Sequence, residues 1–263
     1  MRRSLAARRA TRKSLAATLS AMNLEAHLPV LPFPPERIQT TRVSIGGRTL
    51  RFRHLREVDS LFDTLTPAEL SDEKLPYYGE LWPASIGLAR WIGRRLELRG
   101  KRVLDLGCGV AVAGIAAALR GARVTLADYF EEALAFARHN AALNGAESVR
   151  TLWLDWRDAS FRERFEFILG CDVTYEARHH GPILDLLERC LEPGGAACFA
   201  DPGRVTLERF VDAVRARGLD LQREELGVQE ADERVRAIHV LIVRFSARGG
   251  GGPISQAAAA IAR

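Results

Sequence analysis

Residues 103–111 read Val103-Leu104-Asp105-Leu106-Gly107-Cys108-Gly109-Val110-Ala111, an apolar run holding one acid that breaks into glycines before an Ala-rich stretch. Glycine at such a point lets the backbone turn sharply and lets a ligand come within van der Waals distance of it. Two more acids stand at the ends of the next two apolar runs: Asp128, 21 residues after Gly107, and Asp155, which is followed by Trp156. A carboxylate at the first position can accept hydrogen bonds from both hydroxyls of a ribose. An acid and an indole at the second can accept an adenine amino group and cover the ring. Alone, each acid would be a solvated strand-end residue; in register with Asp105 they describe a nucleoside site.

Two ligands compete for that site. A dinucleotide needs G-x-G-x-x-G to seat its pyrophosphate on a helix N-terminus, but the sixth position here is Val112 and the next glycine is Gly114. Asp105, just ahead of the glycines, suits instead a ligand with a cationic amino group and no phosphate. S-adenosylmethionine is such a ligand.

The elements that must position these residues can be read from periodicity and turn chemistry. From residue 101 short apolar runs alternate with helical stretches, the pattern of βαβ units around a parallel sheet. Strands are expected at 101–106, 123–128, 149–154, 165–171 and 196–200, and helices at 112–120, 131–143, 183–191 and 207–217. Residues 219–228 and 235–245 have no helix between them, so they are expected as an antiparallel pair at one sheet edge. Upstream, 38–44 and 48–54 flank Gly46-Gly47, a hairpin signature, and Thr66-Pro67 opens a short polar helix. Tyr77-Tyr78-Gly79-Glu80-Leu81-Trp82-Pro83 then leads into an apolar-periodic helix ending near Leu96.

Composition confines the function classes. With 47% hydrophobic and 27% charged residues over 263 positions, the chain is neither collagen-like nor wholly disordered, and it can bury one sizeable core. The formal charge of +5 sits at the ends: six cations and no acid in residues 1–22, and Arg248 and Arg263 in the Gly/Ala-rich tail. Removing those eight cations leaves residues 23–246 at −3, which offers no general phosphate-binding field, so nucleic acid is not expected as the partner. No apolar run approaches the ~20 residues of a membrane span, and Cys108, Cys171, Cys190 and Cys198 lack CxxC spacing and are expected as reduced structural thiols. A cytoplasmic monomer is the expectation, with an organellar address in residues 1–22 as the alternative to a flexible arm. The layout expected is 1–36 as basic arm and Pro-rich lead-in, 37–100 as hairpin and helical extension, 101–246 as core, and 247–263 as flexible tail.

The order Asp105-Leu106-Gly107-Cys108-Gly109, Ala-rich helix, Val124-Thr125-Leu126-Ala127-Asp128-Tyr129, then Asn140-Ala141-Ala142-Leu143-Asn144-Gly145 resembles a class I, seven-strand methyltransferase. Glu80-Leu81-Trp82-Pro83-Ala84, Leu154-Asp155-Trp156 and Asp172-Val173-Thr174-Tyr175 are similar to the protein-lysine methyltransferase branch, whose members modify electron-transfer flavoprotein β-subunit, valosin-containing ATPase and chaperones. The resemblance covers roughly residues 37–245. It implies a Rossmann-like α/β fold, a seven-stranded mostly parallel sheet with helices on both faces and a small N-terminal hairpin. It also implies S-adenosyl-L-methionine as cofactor, no metal, and methyl transfer to a protein lysine. A metabolite amine is the alternative acceptor, and a non-catalytic cofactor-binding module the alternative of another class.

Carried onto this chain, the resemblance gives Trp82, Asp105, Gly107, Gly109, Asp128, Asp155 and Trp156 to the cofactor and Asp172 and Tyr175 to catalysis, orienting the acceptor amine. Tyr78, Trp82 and Asp201 fall to the acceptor, the last in Asp201-Pro202-Gly203-Arg204. One departure stands out: Ala111 replaces a third glycine of the loop, so a Cβ must be tolerated there. The adjacent His179-His180 are expected as a solvated surface pair.

Overall fold

The computed structural model describes residues 28–63, 65–68, 75–229 and 234–246. The basic arm of residues 1–22, the Gly/Ala-rich tail of 247–263 and most of the short helix expected after Pro67 lie outside the described residues.

Strands β1 (Ile38–Ile45) and β2 (Arg48–Leu55) pair antiparallel from Ile38 against Leu55 to Ile45 against Arg48. Gly46 and Gly47 close the turn at φ +56° and +76°, the two left-handed positions a two-residue hairpin demands. A one-turn helix, α1 (Asp59–Phe62), follows. Helix α2 (Pro83–Arg95) begins with proline in its first turn, where a missing N–H costs nothing. A Cβ on its Gly87 would come within 3.0 Å of Ile238, so the helix lies close on the sheet.

The main sheet alternates as expected: β3 (Arg102–Leu106), α3 (Val112–Ala118), β4 (Arg123–Asp128), α4 (Glu131–Leu143), β5 (Val149–Trp153), β6 (Phe165–Cys171), α5 (Ala177–Cys190), β7 (Leu191–Asp201), α6 (Leu207–Ala216), β8 (Leu219–Gln229) and β9 (Val235–Phe245). Its order is β5-β4-β3-β6-β7-β9-β8, parallel except for β9, which runs antiparallel between β7 and β8. The fold is thus Rossmann-like: seven strands, mostly parallel, helices on both faces, and a separate hairpin. Alternation along β3 splits the core, Val103 joining the cluster under α2, α3 and α4 and Leu104 and Leu106 the cluster under α5 and α6.

Two boundaries differ from expectation. Helix α5 starts at Ala177, six residues before Ile183, and carries Pro182 in its second turn, where one lost N–H is offset by the buried face beyond it. Leu191 already pairs with Phe165 and the ladder resumes at Ala196 against Phe167, so Pro193-Gly194-Gly195 is an irregularity inside β7 and not its prelude.

The hairpin is joined to α4 by two asparagines, Asn140 in its last turn and Asn144 at its C-cap. Asn140 accepts from Arg53 N–H (2.8 Å) and donates to Arg53 carbonyl oxygen (3.0 Å); four residues on, Asn144 accepts from Arg51 N–H (2.9 Å) and donates to Arg51 carbonyl oxygen (2.7 Å). Side-chain amides thus take the place of a neighbouring strand along the edge of β2. Asn140 is fully buried and also donates to Val110 carbonyl oxygen at 3.0 Å, in the loop after β3. Removing its amide would strand three backbone groups away from water. Urea denaturation is expected to show Asn140→Ala losing roughly 3 kcal/mol and the more exposed Asn144→Ala about 1 kcal/mol. Losses below about 0.5 kcal/mol in both would mean that apolar packing alone docks the hairpin.

Candidate functional site

Strand β3 is flanked by β4 on one side and β6 on the other, both parallel to it, so chain order reverses at β3 and a crevice opens beyond its C-terminal end. The crevice is walled by the loops after β3, β4, β5, β6 and β7 and by the Tyr77–Trp82 segment.

One half is made by the turn after β3. Gly107 and Gly109 have φ of +64° and +51°. A Cβ on Gly107 would meet Val173 at 2.9 Å, and one on Gly109 would meet the Tyr78 carbonyl oxygen at 3.1 Å, so side chains are excluded by space as well as by φ. Ala111 is left-handed too (φ +65°) and wholly buried; the departure seen in the sequence therefore costs strain of about 1 kcal/mol where glycine would cost none. Asp128, at the end of β4, accepts from Gly109 N–H (3.0 Å) and Phe130 N–H (3.1 Å). Burial pushes its carboxyl up to about 6 against those amide bonds. Asp155 is gripped by Arg157, whose Nε lies 2.9 Å from both carboxylate oxygens, and Trp156 meets the His179 ring edge-on at 5.1 Å.

The other half is aromatic. Tyr77 stands edge-on to Trp82 (5.8 Å) and to Tyr175 (5.9 Å), and Trp82 Nε1 donates to the Tyr77 carbonyl oxygen at 3.0 Å. Asp172 follows β6 in a left-handed conformation (φ +57°), with its N–H donated to Ala200 carbonyl oxygen. Its Oδ1 accepts from Arg204 Nε at 2.6 Å, while its buried Oδ2 has no partner. The Arg204 guanidinium also lies over the Trp82 ring, 5.6 Å from its centroid. Burial raises the Asp172 carboxyl, and the Arg204 hydrogen bond opposes that rise.

Tyr78, Trp82, Gly107, Gly109, Asp128, Asp155, Trp156, Asp172 and Tyr175 all line the crevice, but Asp105 and Asp201 do not. Asp105 sits behind the glycine turn and accepts from Gly114 N–H at 2.8 Å. Asp201, at the end of β7, accepts from Gly203 and Arg204 N–H (2.8 Å each) and from the Thr174 hydroxyl (2.8 Å), tying the loops after β6 and β7 together. The histidine pair is not on the surface: both are buried, His179 lining the crevice and His180 donating to Thr174 carbonyl oxygen at 2.9 Å. The helix starts earlier than its sequence suggests, which turns that face inward. Arg204, Glu80 and Phe130 are crevice residues not singled out from the sequence; only the position of Arg204, three residues beyond the strand-end Asp201, hinted at its place. All four cysteines are free, and burial holds the Cys108 and Cys171 thiols far above their usual range, so neither is poised as a thiolate.

Comparison with known proteins agrees with this geometry. A family model described as lysine methyltransferase matches residues 71–211. The chain is 32% identical over 169 residues to the protein N-lysine methyltransferase METTL21A of Danio rerio, covering 61% of this chain and 74% of that protein. It is 32% identical over 147 residues to the histone-arginine methyltransferase METTL23 of Xenopus laevis (53% of this chain, 62% of that one). To the histidine protein methyltransferase 1 homolog of Dictyostelium discoideum it is 31% identical over 128 residues (46% and 41%). The chain thus spans less than two thirds of the first relatives it matches. Among solved structures, the Thermus thermophilus 16S rRNA N2 G1207 methyltransferase, in complex with AdoMet and guanosine, shares the fold with a TM-score of 0.57 at 20% identity (82% of this chain, 52% of that one).

Burial pushes the Asp105 carboxyl up to about 7, the Gly114 amide opposing and the Asp128 charge adding. The folded chain therefore holds this proton more tightly than the unfolded chain, whose aspartates titrate near pH ~4, and stability falls as pH rises between those values. Asp105→Asn keeps an oxygen for Gly114 N–H and removes the charge. Its melting temperature is expected to gain on the parent protein from pH 5 to about pH 7 and the gain to level off above that. A difference flat with pH would refute the strained carboxylate.

Proposed function

This chain belongs to the lysine methyltransferase family, its cofactor is S-adenosylmethionine, and we propose that it N-methylates a lysine side chain of a protein substrate. The glycine-walled half of the crevice fits the cofactor. A Cβ would fill the cradle at Gly107 and Gly109. An ionised carboxylate has about four lone-pair sites; Asp128 spends some on the backbone amides of Gly109, Phe130 and Tyr129 and keeps capacity for a ribose hydroxyl. Asp155 and Trp156 serve the nucleobase, Trp82 flanks the cofactor where it meets the acceptor, and Asp105 keeps the turn in place from behind. When bound, S-adenosylmethionine supplies an electrophilic methyl group.

The remaining work is to present a lone pair. A lysine ammonium must first lose its proton to water, at a cost of roughly 4 kcal/mol near neutral pH, and loss of hydration between the walls of the crevice lowers that cost by disfavouring the charged form. Asp172 Oδ2 then accepts an N–H from the neutral amine and Tyr175 limits its rotation, so that the lone pair points toward the cofactor half. Alignment of this kind can supply ~7–11 kcal/mol of the barrier. The observation that carries the reading is that oxygen of Asp172, a crevice-lining residue, buried and without a partner among the described residues.

The test is transfer of radiolabelled methyl from S-adenosylmethionine into a host extract, with products divided by size and by protease treatment. Label is expected in a protease-sensitive band, on lysine after hydrolysis. Asp172→Ala is expected to lower it roughly 10²-fold, the scale of a misplaced reactant, while S-adenosylhomocysteine still binds within about twofold. Label confined to small molecules, on arginine or histidine, or undiminished in the variant, would overturn the proposal.

A further inference from the structure

An ammonium group is drawn into a protein slot by two kinds of surface, a carboxylate and the face of an aromatic ring. The acceptor half of this crevice has both, and its Asp172 carboxylate and its indole are already taken. Arg204 gives its Nε–H to Asp172 Oδ1 at 2.6 Å and lays its guanidinium over the Trp82 indole at 5.6 Å. Its backbone N–H is fixed by Asp201 at 2.8 Å, so the arginine is held at root and tip. What the pair leaves over is one oxygen, Asp172 Oδ2, buried and without a partner. One acceptor atom, with its charge offset by an adjacent guanidinium, suits an N–H of an uncharged nitrogen. It is a poor seat for a cation.

We propose that Arg204 is the specificity-determining residue of the acceptor slot, occupying its cation-binding surfaces so that only a nitrogen able to shed its charge is received. The inference rests on the reading of this half of the crevice as the acceptor site and names the acceptor's chemical class: a nitrogen that is neutral when it reacts, as a deprotonated amine or an imidazole is, and not a guanidinium or a quaternary ammonium. Without Arg204, the Asp172 carboxylate and the bare indole would bind the ammonium form and hold back its proton. With it, the proton is left in bulk water as the side chain enters. Among the described residues, Asp201 and Arg236 bear on Asp172 with opposite sign, Tyr77 lies beside Arg204, and Glu80 and His179, the latter packed edge-on against Tyr175 at 6.1 Å, also line the crevice. Burial raises Glu80, which weakens its hold on a cation without removing it. The nearby Cys171 thiol and Tyr78 phenol are both pushed up by burial and stay neutral through mildly alkaline pH.

The test needs no methyl transfer. Calorimetric titrations of the full chain saturated with S-adenosylhomocysteine would compare n-butylamine with n-butyltrimethylammonium at pH 7.5 and pH 9.5. Apparent affinity for butylamine is expected to rise about tenfold per pH unit, as the neutral fraction of an amine does below its pKa, and the quaternary ion is expected to bind at least tenfold more weakly than the amine at pH 9.5. Arg204→Gln should bind the quaternary ion at least tenfold more tightly than the parent protein and lose most of the pH slope. Arg204→Lys, which keeps the charge, should retain the exclusion. Unchanged binding of S-adenosylhomocysteine identifies variants that have folded, and the parent protein's two-ligand comparison stands without any variant. Equal or tighter binding of the quaternary ion by the parent protein, a Gln variant with the parent's preference, or a Lys variant that behaves like Gln would each overturn the proposal. Failure here is separable from failure of the lysine reading: label on histidine in the extract would remove lysine and leave Arg204 its role, whereas a slot that welcomes the quaternary ion while label sits on lysine would do the reverse.

Discussion

The backbone between Gly107 and Gly114 leaves the sheet with its polar groups turned inward, and side chains from three different elements hold them. Asp105 on β3 takes the Gly114 amide, Asp128 on β4 takes the Gly109 amide, and Asn140 on α4 gives a hydrogen to the Val110 carbonyl. Each of these side chains is buried, so none can be exchanged for water without stranding a partner. The position of the turn therefore depends on the spacing of β3, β4 and α4, which the parallel ladders and the apolar layer beneath α4 set. The hairpin enters the same network through Asn140, which reads the edge of β2 with one hand of its amide and the glycine turn with the other.

This arrangement accepts an electrostatic cost. Two carboxylates are buried, the charge of Asp128 adds to the cost of ionising Asp105, and burial lifts both well into the range near neutrality. A fold selected for stability alone could place amides there. Carboxylates do something an amide cannot: Asp128 keeps lone pairs beyond those it spends on the backbone, facing the crevice. The strain at Ala111 and the left-handed Asp172 belong to the same account, because residues held in sparsely populated conformations persist only where the surroundings over-determine them.

Much of this was legible in the chain before the structure. Glycine turns, strand-end acids and the change from β to βαβ periodicity are local signals, and they located Gly107, Gly109, Asp128 and Asp155 on one crevice, to which the family resemblance added Asp172. Through-space pairings were not legible. Nothing near Arg204 in sequence says that its guanidinium lies between an acid 32 positions earlier and an indole, and the Asn140 and Asn144 amides read as helix residues until β2 is seen against them. The histidines were misread for a related reason: the helix was expected from Ile183, whereas α5 begins at Ala177 and both rings are buried. Asp105 and Asp201 illustrate a further limit, since type and position placed them at the site and only geometry shows that they act from behind its wall.

The crevice divides along the switch point, and that division has a consequence for how such a site can change. Apart from Trp82, everything proposed for the cofactor comes from the ends of β3, β4 and β5, whose turns are tied to one another by buried hydrogen bonds. The proposed acceptor half comes from the loops after β6 and β7 and from the Tyr77–Trp82 segment, joined mainly by the Asp201 carboxylate bridging Thr174 and the amides of Gly203 and Arg204. Substitution in the first half disturbs a network shared with the core. In the second half a single side chain, Arg204, can be altered with the Asp201 bridge to its backbone intact, because that bridge uses the amide and not the guanidinium. Acceptor chemistry can thus be altered at position 204 without touching the cofactor half, at the cost of leaving the buried Asp172 carboxylate without its guanidinium.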